Sequence, residues 1–236
     1  MDAYREELHA LRQRTAIGVR HGLVLLAQTN GDVGAAEALF RQELTRLVAG
    51  QAGVPDAAAR RALEQTGYEV ARALQQLEQA RYSLTQRILR RYRAPDEAVR
   101  RVADAVEQAH RVPRAYWLDF EAAQRLPPPV ACVLVVSEWL AYEDWESLDA
   151  AVYFHLEAVL GYVDHRLALP QVSHALRHAA ALEQTQGEPR RRQLAGTGAY
   201  RPTPEWEAAS AAFEALRPRL VQGLYELIER HIGLFP

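Results

Sequence analysis

The sequence predicts an all-α fold, and three observations carry that reading. Apolar residues recur at helical spacing along most of the 236 residues, and the one β-branched run has no alternating partner run. Only 13 glycines and 12 prolines punctuate the chain. With 49% hydrophobic residues it can bury one larger core or two smaller ones.

Taken in order, "MDAYREELHALRQR" places Tyr4, Leu8 and Leu11 on one helical face. "EVARALQQLEQARYSLTQRIL" does the same with Val70, Leu74, Leu77, Tyr82, Leu84 and Ile88, which predicts one long helix. "APDEAVRRVADAVEQAH" has a helix entry in Pro95, Asp96 and Glu97, then Val99, Val102 and Val106 along one face. "RLPPPV" interrupts the chain, because consecutive prolines donate no backbone hydrogen bonds. "VACVLVVSEWLAYEDW" is a buried helix despite its β-branched start, since an unpaired buried strand would orphan its backbone groups. In it, Trp139, Tyr142 and Trp145 fit the inner face of an ordinary helix. "ESLDAAVYFHLEAVLGYVDHRL" is helical up to Pro170, and another helix begins there. "TQGEPRRRQLAGTGAYRPTP" is a loop by its glycines and prolines. The rest is a long terminal helix that Pro218 is expected to kink. A boundary near Arg91 to Pro95 separates residues 1–92 from an all-helical domain of open role at 93–236.

Composition removes several functions. A formal net charge of -2 lacks the general footprint of a dedicated nucleic-acid binder. The acidic start lacks the basic, then apolar pattern of a secretory leader, and the apolar run Val130 to Val136 is too short to span a bilayer. The expectation is a soluble cytoplasmic protein with no membrane partner. Cys132 is the only cysteine, which excludes an intrachain disulfide and multi-cysteine zinc sites. Every basic residue of the Lys and Arg class is arginine, so lysine-dependent phosphate cradles and Schiff-base chemistry are absent, and no cofactor is implied. Arginine in place of lysine reads as the codon usage of a GC-rich, bacterial genome.

That usage also disfavours asparagine, and the chain has a single one, Asn30 in "QTNGDVGAAEALF". Asn30 and Gly31 tolerate a left-handed backbone, and Asp32 can cap the next helix, so the triplet writes a corner between two helices. Before it stand Leu8, Leu11, Arg12, Arg14, Thr15 and the glycine bend at Gly18. Over residues 4 to 43 this order resembles the amino-terminal module of elongation factor Ts, a three-helix ubiquitin-associated-like (UBA-like) fold. Two departures are Thr15-Ala16 for the family's Thr-Gly, and the apolar "HGLVLL" for its polar second helix. Nothing after residue 93 looks like the nucleotide-exchange core. The resemblance implies a small fold and protein binding, with elongation factor Tu as the partner to try first.

A shift of 37 residues superposes Leu26, Gln28, Thr29, Val33 and Ala36 on Leu63, Gln65, Thr66, Val70 and Ala73. Gly67 and Tyr68 replace the asparagine corner in this second UBA-like copy. The helix from Phe40 to Val48 would then close the first module and open the second. Such modules leave apolar surface at the first bend and the end of the third helix. The partner-binding residues expected here are Ile17, Gly18, Val19, Leu39 and Phe40, with Val54 and Leu77 in the second copy; Ile17 is expected at the surface and Phe40 partly in the core.

Two other functions compete with a protein-binding adaptor or regulator. His174 and His178 lie four apart on one helical face, and His155 is near enough in sequence to join them in a metal-dependent helical enzyme. The pattern lacks the glutamate of the zinc-protease helix, so metal is not the expected reading, and no catalytic residue is assigned. The arginines of "QRILRRYRAP" and "GEPRRRQL" could bind RNA, but helix-end charge accounts for the first cluster equally well, so nucleic acid is not the expected partner.

Overall fold

The computed structural model describes residues 4–197 and 202–236. No strand occurs among them, and Arg114 and Leu118 form an isolated bridge. No helix among the described residues is long and apolar enough to cross a membrane. The chain divides into two compact units between Tyr82 and Ser83.

The first unit contains α1 (Arg5–Arg14), α2 (Val19–Gln28), α3 (Val33–Ala52), α4 (Asp56–Gln65) and α5 (Val70–Arg81). Both α1 and α2 pack on α3, and so do α4 and α5. Helix α3 is thus shared by two successive three-helix modules. Leu11, Ile17, Leu25, Leu26 and Ala36 form the first core. In the second, Val48, Ala62, Leu63 and Ala73 are buried, and Val54 packs against them. These are the same positions shifted by the 37 residues seen in the sequence.

The backbone of the first corner recurs in the second. Asn30 (φ 51°) and Gly31 (φ 84°) are left-handed, as are Gly67 (φ 63°) and Tyr68 (φ 62°). The Gly31 N–H donates to the Leu26 carbonyl at 2.8 Å, and the Tyr68 N–H to that of Leu63 at 2.7 Å. Both satisfy a carbonyl that the end of the helix would otherwise leave open. Thr29 Oγ1 lies 2.9 Å from the Leu25 carbonyl oxygen and 3.1 Å from that of Asp32. Thr66 Oγ1 lies 2.8 Å from Ala62 O and 3.4 Å from Glu69 O. Asp32 accepts from the Ala35 N–H at 2.9 Å and caps α3, whereas Glu69 makes no such side-chain cap.

The second unit runs through α6 (Leu84–Arg91), α7 (Pro95–His110), α8 (Phe120–Gln124), α9 (Pro128–Trp145), α10 (Leu148–Ala151), α11 (Leu156–Tyr162), α12 (Pro170–Thr197) and α13 (Pro204–Arg230). Helix α9 is its axis: every residue from Pro129 to Val136 is buried, as is Trp139. Helices α7, α8, α10, α11 and α13 pack around it. The Trp139 indole N–H donates to the Ala151 carbonyl at 2.8 Å, which satisfies the polar end of a fully buried ring.

Four expectations need correction. The long helix over 70–90 breaks at Tyr82–Ser83, because Ser83 and Gln86 form a reciprocal capping box that starts α6. Helix α6 packs on α7, so the division falls before it rather than at Arg91 to Pro95. The segment read as a loop from residue 185 is helical to Thr197 in spite of Gly187, Pro189 and Gly196, which disfavour a helix by about 1 kcal/mol per glycine and about 3 for the proline; α12 packs along α13. Residues 198–201 of that expected loop lie outside the described residues. The helix expected up to Pro170 is interrupted at His155 (φ 57°) and Ala168 (φ 53°), with a π-helical turn over Val163–Leu167. Helix α13 continues on both sides of Pro218.

Candidate functional site

The first unit places the expected binding residues in three environments. Ile17 is 4% exposed, a correction to its expected surface position: the bend after α1 turns it inward beside Leu11, and its methyl lies 3.6 Å from where a Cβ on Gly22 would stand. Gly18 and Val19 are exposed at the start of α2. Leu39, Phe40, Val54 and Leu77 are half-buried against the two small cores. Phe40 meets the His21 ring edge-on at 5.6 Å, and His21 Nε2 lies 2.8 Å from Glu43.

Leu39 also lines a groove of about 580 Å³ with Ala35, Ala38, Thr45, Arg60 and Tyr68. It lies between the two modules, floored by α3 and flanked by the second corner. Arg41, at its edge, stacks over Tyr68 at 4.6 Å and pairs with Glu37. The groove therefore offers apolar surface beside guanidinium groups.

The histidines do not converge. His174 and His178 are exposed on α12, and among the described residues no three His, Cys, Asp or Glu side chains gather where a metal could bind. His155 instead lies against Phe120 and Trp117, with ring centres 4.5 and 5.0 Å away. Burial pushes the Cys132 thiol up to about 12, which leaves it un-ionised and a poor nucleophile. Asp164 accepts from Ser173 and Arg177, and both hydrogen bonds hold its carboxyl below the ordinary range.

Glu143 and Glu183 are buried acids of the second unit, and the Glu143 carboxyl is displaced from its ordinary range. Burial pushes it up to about 7, with repulsion from Glu214 and Asp144 acting in the same direction. Arg217 opposes this from 3.2 Å, but its other arm is held by Asp144. This group sits beside a cavity of about 260 Å³ lined by Asp96, Arg100, Ser137 and Arg217.

A cluster of aromatic rings in the second unit was only partly legible in the sequence. Trp117 and Tyr142 lie 4.2 Å apart between ring centres. Tyr116 reaches Trp145 at 5.9 Å, and Phe154 reaches Tyr142 at 5.8 Å. Of the helical triplet in α9, Trp139 alone is an inner residue; Tyr142 is half-buried and Trp145 is 66% exposed. Tyr116 is 62% exposed. The loop before α8 is rigidly held. Arg114 makes paired hydrogen bonds to Glu107 and to Glu138, 2.7 to 2.8 Å long. Glu138 also accepts from the Leu118 N–H at 3.1 Å, and the Asp119 N–H donates to Pro113 O at 2.8 Å. The Arg114 hydrogen bonds lower the Glu107 carboxyl pKa and raise that of the guanidinium. The sequence signal was three aromatic pairs, "YW" at 116, "YEDW" at 142 and "YFH" at 153, whose meeting depends on folding.

The YfbN C-terminal domain family matches residues 83–233, nearly the whole of the second unit. An Escherichia coli (strain K12) protein described as "Uncharacterized protein YfbN" is 32% identical over 148 residues. That alignment covers 63% of this chain and 62% of the relative, so the chain spans less than two thirds of that relative's length. No solved structure matches the chain. The family match extends over more than half of the sequence, and the chain belongs to the YfbN C-terminal domain family.

Proposed function

We propose that the protein is an adaptor or regulator that binds a partner protein through its N-terminal pair of three-helix, UBA-like modules. The observation that carries this reading is the groove between the modules, where Leu39, Ala35 and Ala38 adjoin Arg41 and Arg60. Concave surfaces that mix apolar area with a few placed polar groups are the usual form of a ligand site. Val19, Val24 and Leu47 add apolar side chains that are 50%, 48% and 46% exposed on the same unit. The resemblance to elongation factor Ts supports the mode of binding and makes elongation factor Tu the first partner to test.

The test is calorimetric titration of the full chain with purified elongation factor Tu, followed by affinity capture and mass spectrometry if that protein does not bind. Ala38→Trp fills the groove, and Val19→Asp charges the α2 surface; both positions are exposed, so the fold should survive. A partner bound by the native chain should lose affinity at least tenfold with Ala38→Trp, about 1.4 kcal/mol. Ile17→Asp serves as the contrast, because a charge in the first core should unfold that module. A partner that binds Ala38→Trp and Val19→Asp as tightly as the native chain would remove this reading.

A further inference from the structure

The aromatic cluster of the second unit has three properties that together define a ligand. Three of its rings reach solvent, one of its loops is tied by hydrogen bonds, and Glu146 stands beside it. Tyr116 and Trp145 each expose more than 60% of their surface, and Phe154 exposes 39%. The backbone of the loop carrying Tyr116 and Trp117 is tied down by the Arg114, Glu138 and Pro113 hydrogen bonds, which lowers the cost of ordering that loop on binding.

Two carboxylates, Glu146 and Asp149, act on the ring of Tyr142, and His155 packs against Trp117 on the cluster's inner side. Tyr142 holds its proton more tightly than an ordinary tyrosine, mainly through burial and then through repulsion from Tyr116, Glu146 and Asp149. Arg114 on the same loop is already shared between Glu107 and Glu138, and Arg217 is paired with Glu143 and Asp144. Cation–ring stacking recurs elsewhere in the chain, with Arg41 on Tyr68, Arg81 on Tyr82, and Arg91 and Arg101 on Tyr92. An aromatic face beside carboxylates attracts a cation through both the ring quadrupole and direct charge. A planar guanidinium satisfies both better than an ammonium, because it stacks and also donates in a fork.

We propose that the surface formed by Tyr116, Trp117, Tyr142, Trp145 and Phe154, rimmed by Glu146, docks an arginine-rich segment of a partner protein. This surface belongs to the family-matched unit and stands independently of the N-terminal reading. An arginine side chain would lie over Tyr116 or Trp145 with its guanidinium directed to Glu146. Neighbouring basic residues would be attracted by Glu146 and Asp149.

The test titrates the full chain with a fluorescently labelled twelve-residue peptide of alternating arginine and glycine. Matched peptides carry lysine, glutamate or proline in place of arginine. The arginine peptide should bind and shift tryptophan emission, the lysine peptide more weakly, and the glutamate peptide not at all. Trp145→Leu keeps an apolar side chain but removes the quadrupole, and should weaken arginine-peptide binding about threefold to fivefold. Trp145→Phe should retain most of the affinity, and Glu146→Gln should reduce it with a smaller salt dependence. Circular dichroism of each variant verifies the fold. Equal binding of the proline peptide would make the surface a reader of extended chains and overturn the proposal. Concentration-dependent self-association lost in Trp145→Leu would make a second copy the occupant, with the same consequence. Failure of the arginine peptide to bind, or binding unaltered in Trp145→Leu, would also sink it.

Discussion

Asn30 and Tyr68 occupy equivalent corners with the same left-handed backbone, yet only the first was conspicuous in the sequence. Asparagine adopts that conformation readily, whereas tyrosine does so under the constraint of the Leu63 hydrogen bond and the Arg41 stack. Asn30→Val should therefore destabilise the first unit by about 1 kcal/mol or more, measured by denaturant unfolding, because a β-branched residue is strained there. Asn30→Gly should be nearly neutral. Glu143 could not be interpreted from sequence, since Arg217 and Glu214 reach it from another helix. Its folded value of about 7 exceeds its ordinary value of 4.5. The folded state therefore binds this proton more tightly, so the associated stability is full below about pH 4.5 and is lost as pH rises through 7. Glu143→Gln should flatten that part of the stability profile, followed by thermal unfolding from pH 4.5 to 8.

Among the elements, periodicity revealed helices better than their ends. Tyr82, Leu84 and Ile88 continue the face begun at Val70, so the sequence concealed the break at Ser83. The serine followed three residues later by Gln86 was the available signal. Ser83→Ala should lower the stability of the second unit by about 1 kcal/mol and leave the first unchanged, as read from separate melting transitions. The β-branched run in α9 shows the opposite outcome: complete burial makes it helical, because an isolated strand would have no backbone partners. The arginine run at 190–192 was assigned to a loop because local composition cannot report the pairing of α12 with α13.

At the scale of the molecule, the all-α class was legible because helical period is a local property. The aromatic surface was not, since its rings come from three separated segments and their exposure depends on packing around α9. Each unit has its own buried clusters, so fragments 1–82 and 83–236 should each fold, with helical circular dichroism and a cooperative melt. A fragment 83–236 that is molten alone would show that its core needs the first unit.

Sharing α3 has a mechanical consequence for the first unit. Two domains on a flexible tether sample many separations, and their joint engagement of a target depends on tether length. Here the connection is a continuous helix, so spacing and rotation are set by its geometry of about 1.5 Å and 100° per residue. The spacing and rotation of the two halves of the groove are therefore set by the helix. A one-residue insertion in mid-α3 would preserve the local signals of both modules while turning one edge of the groove away from the other.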